Sequence, residues 1–327
     1  MHKRTFFARI LAAVGGSVIA VTASTASAQE WPTKPIRIIV SFAPGGLTDT
    51  IARALQARLQ EGFGQPIVIE NRPGAGGTLA EGILAKAPAD GYTILLSADS
   101  VPANPHLMPN LSYDTFKDLV PVSLLARIPL VMLVNPTVPA ATVREFVSYA
   151  KTGGVKASYG SPGTGTSNHL YFEVFKDLTS IDLPHVAYKG GGPAMTDLMG
   201  GHIQALLISS TLAVPQVIGG KVKALAVTSD KRLAQLPNVP TFAEAGFSDF
   251  KPQQWTGLFV PAGTPPAIVA RIHGEFAKAL KAPDVVTRLS DLNAEPVMSS
   301  QAEFANHLRS ENQTLGRLIK ARGIKAQ

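Results

Sequence analysis

The sequence predicts an α/β protein built as two Rossmann-like lobes with a hinge, and three observations carry that expectation. Short β-branched runs alternate with amphipathic segments from Ile36 onward, the pattern of a mostly parallel sheet with helices on its faces. Two of these runs lead into glycine-punctuated loops, Ser41-Phe-Ala-Pro-Gly-Gly-Leu-Thr-Asp49 and Tyr159-Gly-Ser-Pro-Gly-Thr-Gly-Thr-Ser-Asn168. Proline-bearing stretches at Asn135-Pro136 and at 248–254 interrupt the alternation, and they read as two chain crossings between lobes.

In chain order, 36–40 is the first strand. A helix over 48–62 follows, in which Ile51, Leu55 and Leu59 recur every four positions as a buried stripe, and Gly62 and Gly64 end it. A strand at 67–70, a helix at 78–86, a strand at 92–97 and a strand at 130–134 complete the first run. Helix 143–151, strand 155–159, helix 167–177, strand 183–188, a helix after Pro193 and strands 203–208 and 224–227 form a second small sheet with its helices. Strand 257–260 and the helices from Pro265 rejoin the first lobe. The expected division is a signal peptide at 1–28, lobe 1 at 29–134 plus 252–327, and lobe 2 at 135–251.

The N-terminus has the layout of a secretory signal. Lys3, Arg4 and Arg9 precede an apolar run over 10–23, and Ala26-Ser27-Ala28 matches an A-x-A cleavage site, so cleavage after Ala28 and a periplasmic protein are expected. The run is shorter than the roughly 18 to 20 residues that span a bilayer. With no cysteine in the chain, a lipid-modified cysteine, a disulfide, a thiol nucleophile and a thiolate metal site are excluded. Loss of residues 1–28 lowers the formal charge from +7 to +4. The basic residues are scattered singly, which suits a solvated surface and not nucleic-acid binding.

Each glycine loop would aim a helix N-terminus and its free amides at whatever lies above the strand. In the first, glycine admits sharp turning and close approach, Thr48 can cap the helix, and Asp49 suits the helix dipole. In the second, hydroxyls of Ser161, Thr164, Thr166 and Ser167 surround Gly160, Gly163 and Gly165 with no basic residue among them. That composition fits a carboxylate or other compact anion held by neutral dipoles. Other motifs fail on spacing: Asn168 stands where G-x-G-x-x-G needs its third glycine, no Walker lysine follows a glycine loop, and Gly160-Ser161-Pro162-Gly163 is not a G-x-S-x-G elbow. The histidines show no metal-ligand spacing, although His169 falls in the first turn after the second loop. No metal or cofactor is called for.

Seven segments taken together resemble the Bug family, the periplasmic solute receptors of tripartite tricarboxylate transporters. They are the first loop with its preceding strand, Glu70-Asn-Arg-Pro-Gly-Ala-Gly-Gly77, Asp90-Gly-Tyr-Thr93, the second loop, His185-Val-Ala-Tyr-Lys-Gly-Gly-Gly-Pro-Ala194, Leu236-Pro-Asn-Val-Pro-Thr-Phe-Ala-Glu-Ala-Gly246 and Val260-Pro-Ala-Gly-Thr-Pro-Pro266. The resemblance implies a type II periplasmic-binding-protein fold, a monomer, a small organic carboxylate ligand and delivery to membrane components of such a transporter. It places carboxylate contacts on Phe42, Ala43, Gly45 and Gly46 of one loop and on Ser161, Gly163, Thr164, Gly165 and Thr166 of the other, with bridging water at the distal part of the ligand. His169 and Ser209 complete the expected site. Members that bind an amino group offer an acid near 208–211, where this chain has Ser209, Ser210 and Thr211; that disfavours an amino-acid ligand, with Asp99 still available near the end of the third strand. Two other readings compete: a sensory adaptor for a membrane signalling receptor, and a hydrolase in which Ser161 acts with His169.

Overall fold

The computed structural model describes residues 31–152 and 157–325; the signal-peptide features and the first two residues of the expected 155–159 strand lie outside them. The first β-branched run forms β1 (Ile36–Val40), and the apolar stripe that follows forms α1 (Leu47–Phe63). Gly64 closes α1 in the left-handed conformation, φ 65°, as a helix C-terminus favours. Next come β2 (Ile67–Asn71), a single 3-10 turn at Ala75–Gly77, α2 (Thr78–Ala85), β3 (Thr93–Ala98) and α3 (Asn104–Leu107). Strand β4 (Leu119–Val134) is 16 residues long.

The second half of the alternation supplies α4 (Val143–Lys151), β5 (Tyr159–Ser161), α5 (Ser167–Thr179), β6 (His185–Ala187), α6 (Gly191–Met199), β7 (Ala205–Ser209), α7 (Ser210–Ile218) and β8 (Lys223–Val227). The chain then returns through β9 (Gln253–Pro261), α8 (Pro266–Leu280), α9 (Pro283–Asp291), β10 (Glu295–Pro296) and α10 (Gln301–Arg322).

Parallel pairs occur where the alternation predicts them, β1 with β2 and β3, and β5 with β6 and β7. The two groups are not separate sheets. They merge into one curled sheet in the order β2-β1-β3-β9-β4-β7-β5-β6, because β4 extends eleven residues earlier than the 130–134 segment suggests. Its first part pairs antiparallel with β9, and Leu130–Val134 pairs with β7 and β8. Register shifts near Pro121 and between Leu124 and Ala126 let this long strand bend, as bulges do.

Separate apolar cores lie on the two sides of this bend. One gathers Ile39, Leu95, Trp255, Phe259 and Phe304, a second Phe146, Tyr159, Phe172, Phe175 and Phe242, and a further cluster Val131, Leu133, Leu198 and Leu206. α10 spans the first two, placing Phe304 in the first and Leu315 and Ile319 in the second. The carboxyl ends of β1, β3, β5 and β6 therefore face a common cleft, where open α/β sheets bind ligands. Among the described residues no helix is long and apolar enough to cross a membrane.

Candidate functional site

A cavity of about 500 Å³ occupies the cleft, within the usual range for small-molecule sites. Its wall is built almost wholly from residues that follow strands. Phe42 and Gly46–Thr48 follow β1, Asp99 and Ser100 follow β3, Pro162–Asn168 follow β5, and Tyr188 and Lys189 follow β6; Gln254 and Trp255 of β9 close the base.

Both glycine loops end in helix N-termini at this wall. Gly46 is the N-cap of α1 and offers no side-chain cap, and Thr48 lies inside the helix instead of capping it. Asp49 takes over part of that role: its Oδ2 accepts the Gly45 amide at 2.8 Å, and its carboxylate also receives Arg53 and Asn71. Burial acts to raise the Asp49 pKa, but these hydrogen bonds outweigh it and hold the acid below its usual value. Gly45 has φ +79°, a left-handed turn in which a side chain would be strained.

The second loop is tied down more tightly. Thr166 caps α5, accepting from the His169 amide and donating to the Gly163 carbonyl at 2.7 Å. Ser161 is fully buried beneath the loop; its Oγ meets the Gly163 carbonyl at 2.9 Å, the Gly163 amide at 3.2 Å and His185 Nε2 at 2.7 Å. His169 Nδ1 accepts the Gly165 amide at 3.1 Å, where Gly165 has φ +80°. The His169 and His185 rings stack at 3.9 Å, and Tyr159 stacks on His185 at 4.9 Å. Burial, with His185 beside it, lowers the His169 pKa to about 4, so the ring is neutral near pH 7 and can accept. The histidine on Ser161 is His185, from the neighbouring strand, and not His169.

Of the residues expected from sequence, Phe42, Gly46, Gly163, Thr164, Gly165 and Thr166 line the cavity. Ala43 and Gly45 are exposed outside the lining, Ser161 and His169 lie behind the second loop as its supports, and Ser209, outside the lining too, stands at the N-cap position of α7 with no side-chain capping bond. Leu47 and Thr48 of α1 and Ser167 and Asn168 of α5 line the cavity at the helix starts, where backbone amides have no partner within the helix.

Three lining residues carry chemistry that the loop motifs do not announce. Lys189 brings a cation to the rim. Asn104 donates to Glu81, a carboxyl sunk beneath the Gly76–Gly77 turn that also receives Ser97 and Tyr113. Asp99 is 6% exposed, bonds Ser167 at the start of α5, and leaves Oδ2 without a partner. Glu81 and Asp99 are both raised by burial, Asp99 to about 7. Each sits at a strand or helix end remote in sequence from the loop it supports, so no local spacing marks it. Among the described residues no group of three or more His, Asp or Glu could hold a metal ion.

Comparisons with known proteins agree with this geometry. Residues 51–324 match the family described as tripartite tricarboxylate transporter family receptor. The chain is 34% identical over 320 residues to protein BugT of Bordetella pertussis, covering 97% of this chain and 98% of that protein. Among solved structures, one from R. palustris with adipate superposes with a TM-score of 0.76 at 33% identity, covering 90% of this chain and 99% of that one. MatC from Rhodopseudomonas palustris with bound malate superposes at 0.73 with 35% identity, over 88% and 99% of the two chains.

Proposed function

From the premise that this chain belongs to the tripartite tricarboxylate transporter receptor family, a family of periplasmic solute-binding proteins and not of enzymes, we propose that it captures a small organic carboxylate between its two lobes. It then presents that ligand to the membrane components of a tripartite tricarboxylate-type transporter. Within this reading residues 1–28 are the exported signal, cleaved after Ala28, lobe 1 is 29–134 plus 252–327, and lobe 2 is 135–251.

The observation that carries the proposal is one cavity onto which two helix N-termini open from opposite sides, α1 through Gly46–Thr48 and α5 through Pro162–Asn168. A carboxylate in that position accepts amide hydrogen bonds from both. Each charge-assisted bond contributes about 1.5–3 kcal/mol and each helix end about 0.3–2; a micromolar complex needs about 8. Closing follows from differential affinity, because only the closed arrangement lets both helix ends reach one anion. The adipate- and malate-bound neighbours support the ligand class, and the room left around so small an acid suits bridging water.

A thermal-shift screen of mono- and dicarboxylates tests this reading. A ligand at 100 times its Kd adds about 2.7 kcal/mol of stability. Stabilisation by sugars or by cationic amines, with none by any carboxylate, would overturn it.

A further inference from the structure

The electrostatics of the cavity contain a contradiction that a simple anion site would not have. The α5 N-terminus that should attract a ligand carboxylate already has an acid on it: Asp99, nine-tenths buried, hydrogen-bonded to Ser167 and lining the same cavity. Its Oδ2 has no hydrogen-bond partner. Behind it lies a second acid, Glu311 of α10, whose two oxygens receive Tyr171 at 2.9 Å and Trp255 Nε1 at 2.9 Å. A bound ligand anion beside an ionised Asp99 would put like charges together in a poorly solvated place, which two carboxyl groups avoid by sharing one proton.

We propose that carboxylate capture at this site is coupled to uptake of one proton by Asp99, which then donates from Oδ2 to the ligand. The inference rests on the receptor reading above and deepens it. Protonated Asp99 supplies a neutral donor where the loops supply only neutral donors. It also removes the repulsion, and it gives the unpartnered oxygen an acceptor.

The surroundings are arranged to permit this. Asp99 is raised by burial to about 7, while the Ser167 hydrogen bond opposes the rise. Glu311 is also raised to about 7, by burial and then by Asp99, against its bonds from Trp255 and Tyr171 and against Arg127. His307, on the same helix as Glu311, is lowered to about 4 by burial and Arg127 and is neutral near pH 7, and Tyr171 is raised well above its usual value and stays protonated. Lys189 is the cation among the lining residues, and it sits exposed at the rim. The two acids thus titrate as a coupled pair, and variants of each identify which one takes the proton.

The sign is fixed by linkage: binding that favours protonated Asp99 is strongest below its pKa and weakens as pH rises through it. Titration calorimetry from pH 6 to pH 9 on the full chain, with a panel of C2 to C8 carboxylates that includes malate and adipate, reads this out directly. The expected Kd is flat below about pH 6.5 and rises by up to tenfold per pH unit above about 7.5, as uptake of one proton requires. At pH 8, heats in two buffers of different ionisation enthalpy show close to one proton taken up per ligand, a measurement that needs no variant. Asp99→Asn, with an amide donor in the same place, makes Kd independent of pH, and Glu311→Gln shifts the midpoint without removing the dependence.

A wild-type Kd that is flat across the range, or no proton uptake, overturns the proposal while leaving the receptor reading intact. Loss of dependence in Glu311→Gln assigns the proton to Glu311 and also overturns it. So does loss of binding at every pH in folded Asp99→Asn, since it would mean that an ionised Asp99 holds a cationic or zwitterionic ligand. Failure of every carboxylate to bind at any pH removes the receptor reading, and the inference with it.

Discussion

Replacing Ser161 with alanine separates a receptor from a hydrolase and measures how firmly the second loop is built. The hydroxyl is fully buried and serves three partners: the Gly163 carbonyl, the Gly163 amide and His185 Nε2. Ser161→Ala strands at least the amide and the ring nitrogen. A buried polar group left unsatisfied costs about 1–3 kcal/mol, but Gly163 and His185 are only half-buried, so water recovers part of that. The expected loss is about 2 kcal/mol, which for a chain of this size lowers Tm by roughly 3 °C. If re-forming the loop on binding costs up to about 1.4 kcal/mol of this, carboxylate affinity falls by as much as tenfold. Differential scanning fluorimetry and titration calorimetry on the same preparations measure both. Wild-type Tm together with wild-type Kd would refute the supporting role of Ser161. Ester or amide hydrolysis by the wild type that the variant loses would refute the receptor reading, although a side chain with no solvent exposure is poorly placed to attack a substrate.

The other predictions are more local. Lys176→Met leaves Glu173, 5% exposed, with only Tyr159 and the more distant Arg322; urea denaturation should show a loss of about 3 kcal/mol, the low end for breaking a buried pair, and the Glu173→Gln, Lys176→Met double variant should recover most of it. In Gly257→Ala the new methyl runs into the Phe304 ring and comes 2.9 Å from Trp255, so unfolding should be easier by about 1–3 kcal/mol. His169 is neutral in the fold with a pKa near 4 and near 6.5 when unfolded. The unfolded chain therefore binds the extra proton between those values, so His169→Gln should hold its stability better than wild type as pH falls from 6.5 to 4. Trp255 lines the cavity and the other tryptophan, Trp31, does not, so ligand-induced change in intrinsic fluorescence should vanish in Trp255→Phe.

The parts of the fold that show in sequence are those where one local signal dominates. Ile36–Val40 is uninterrupted and β-rich apart from Arg37, and Ile51, Leu55 and Leu59 keep a strict helical stripe, so β1 and α1 fall within a residue of their expected limits. The first part of β4 is obscured by Pro121 and Pro129. Pro121 sits where β4 changes register beside β9, and Pro129 sits at the last pair with β9, where β4 passes to β7; both places are set by partner strands. The site divides in the same way. Glycines mark where the two loops turn, but the placement of Asp99 and Lys189 depends on where β3 and β6 end in space, and the pairing of Ser161 with His185 depends on β5 lying in register beside β6, with Tyr159 opposite His185.

That division bears on what the glycines do. Several loop amides that would look available to a ligand are already bonded within the protein: Gly45 to Asp49, Gly46 to the Ala43 carbonyl, Gly163 to Ser161 and Gly165 to His169. The glycines thus serve chiefly to fold each loop onto its own supports, in the left-handed conformations of Gly45 and Gly165, and under the proposed function the ligand meets the helix ends behind them. A site fixed in this way loses little entropy within each lobe when it binds. Under the proposed closure of the lobes, the conformational cost falls on that closing, and affinity then depends on how far closure is populated before the ligand arrives. Contacts that already bridge α5 to the β9 and α10 side, Gln254 to Asn168 at 3.3 Å and Tyr171 to Glu311 at 2.9 Å, are where that population can be changed. Tyr171→Phe should alter Kd for every carboxylate by the same factor while leaving their order unchanged, whereas a change at Asp99 should reorder them.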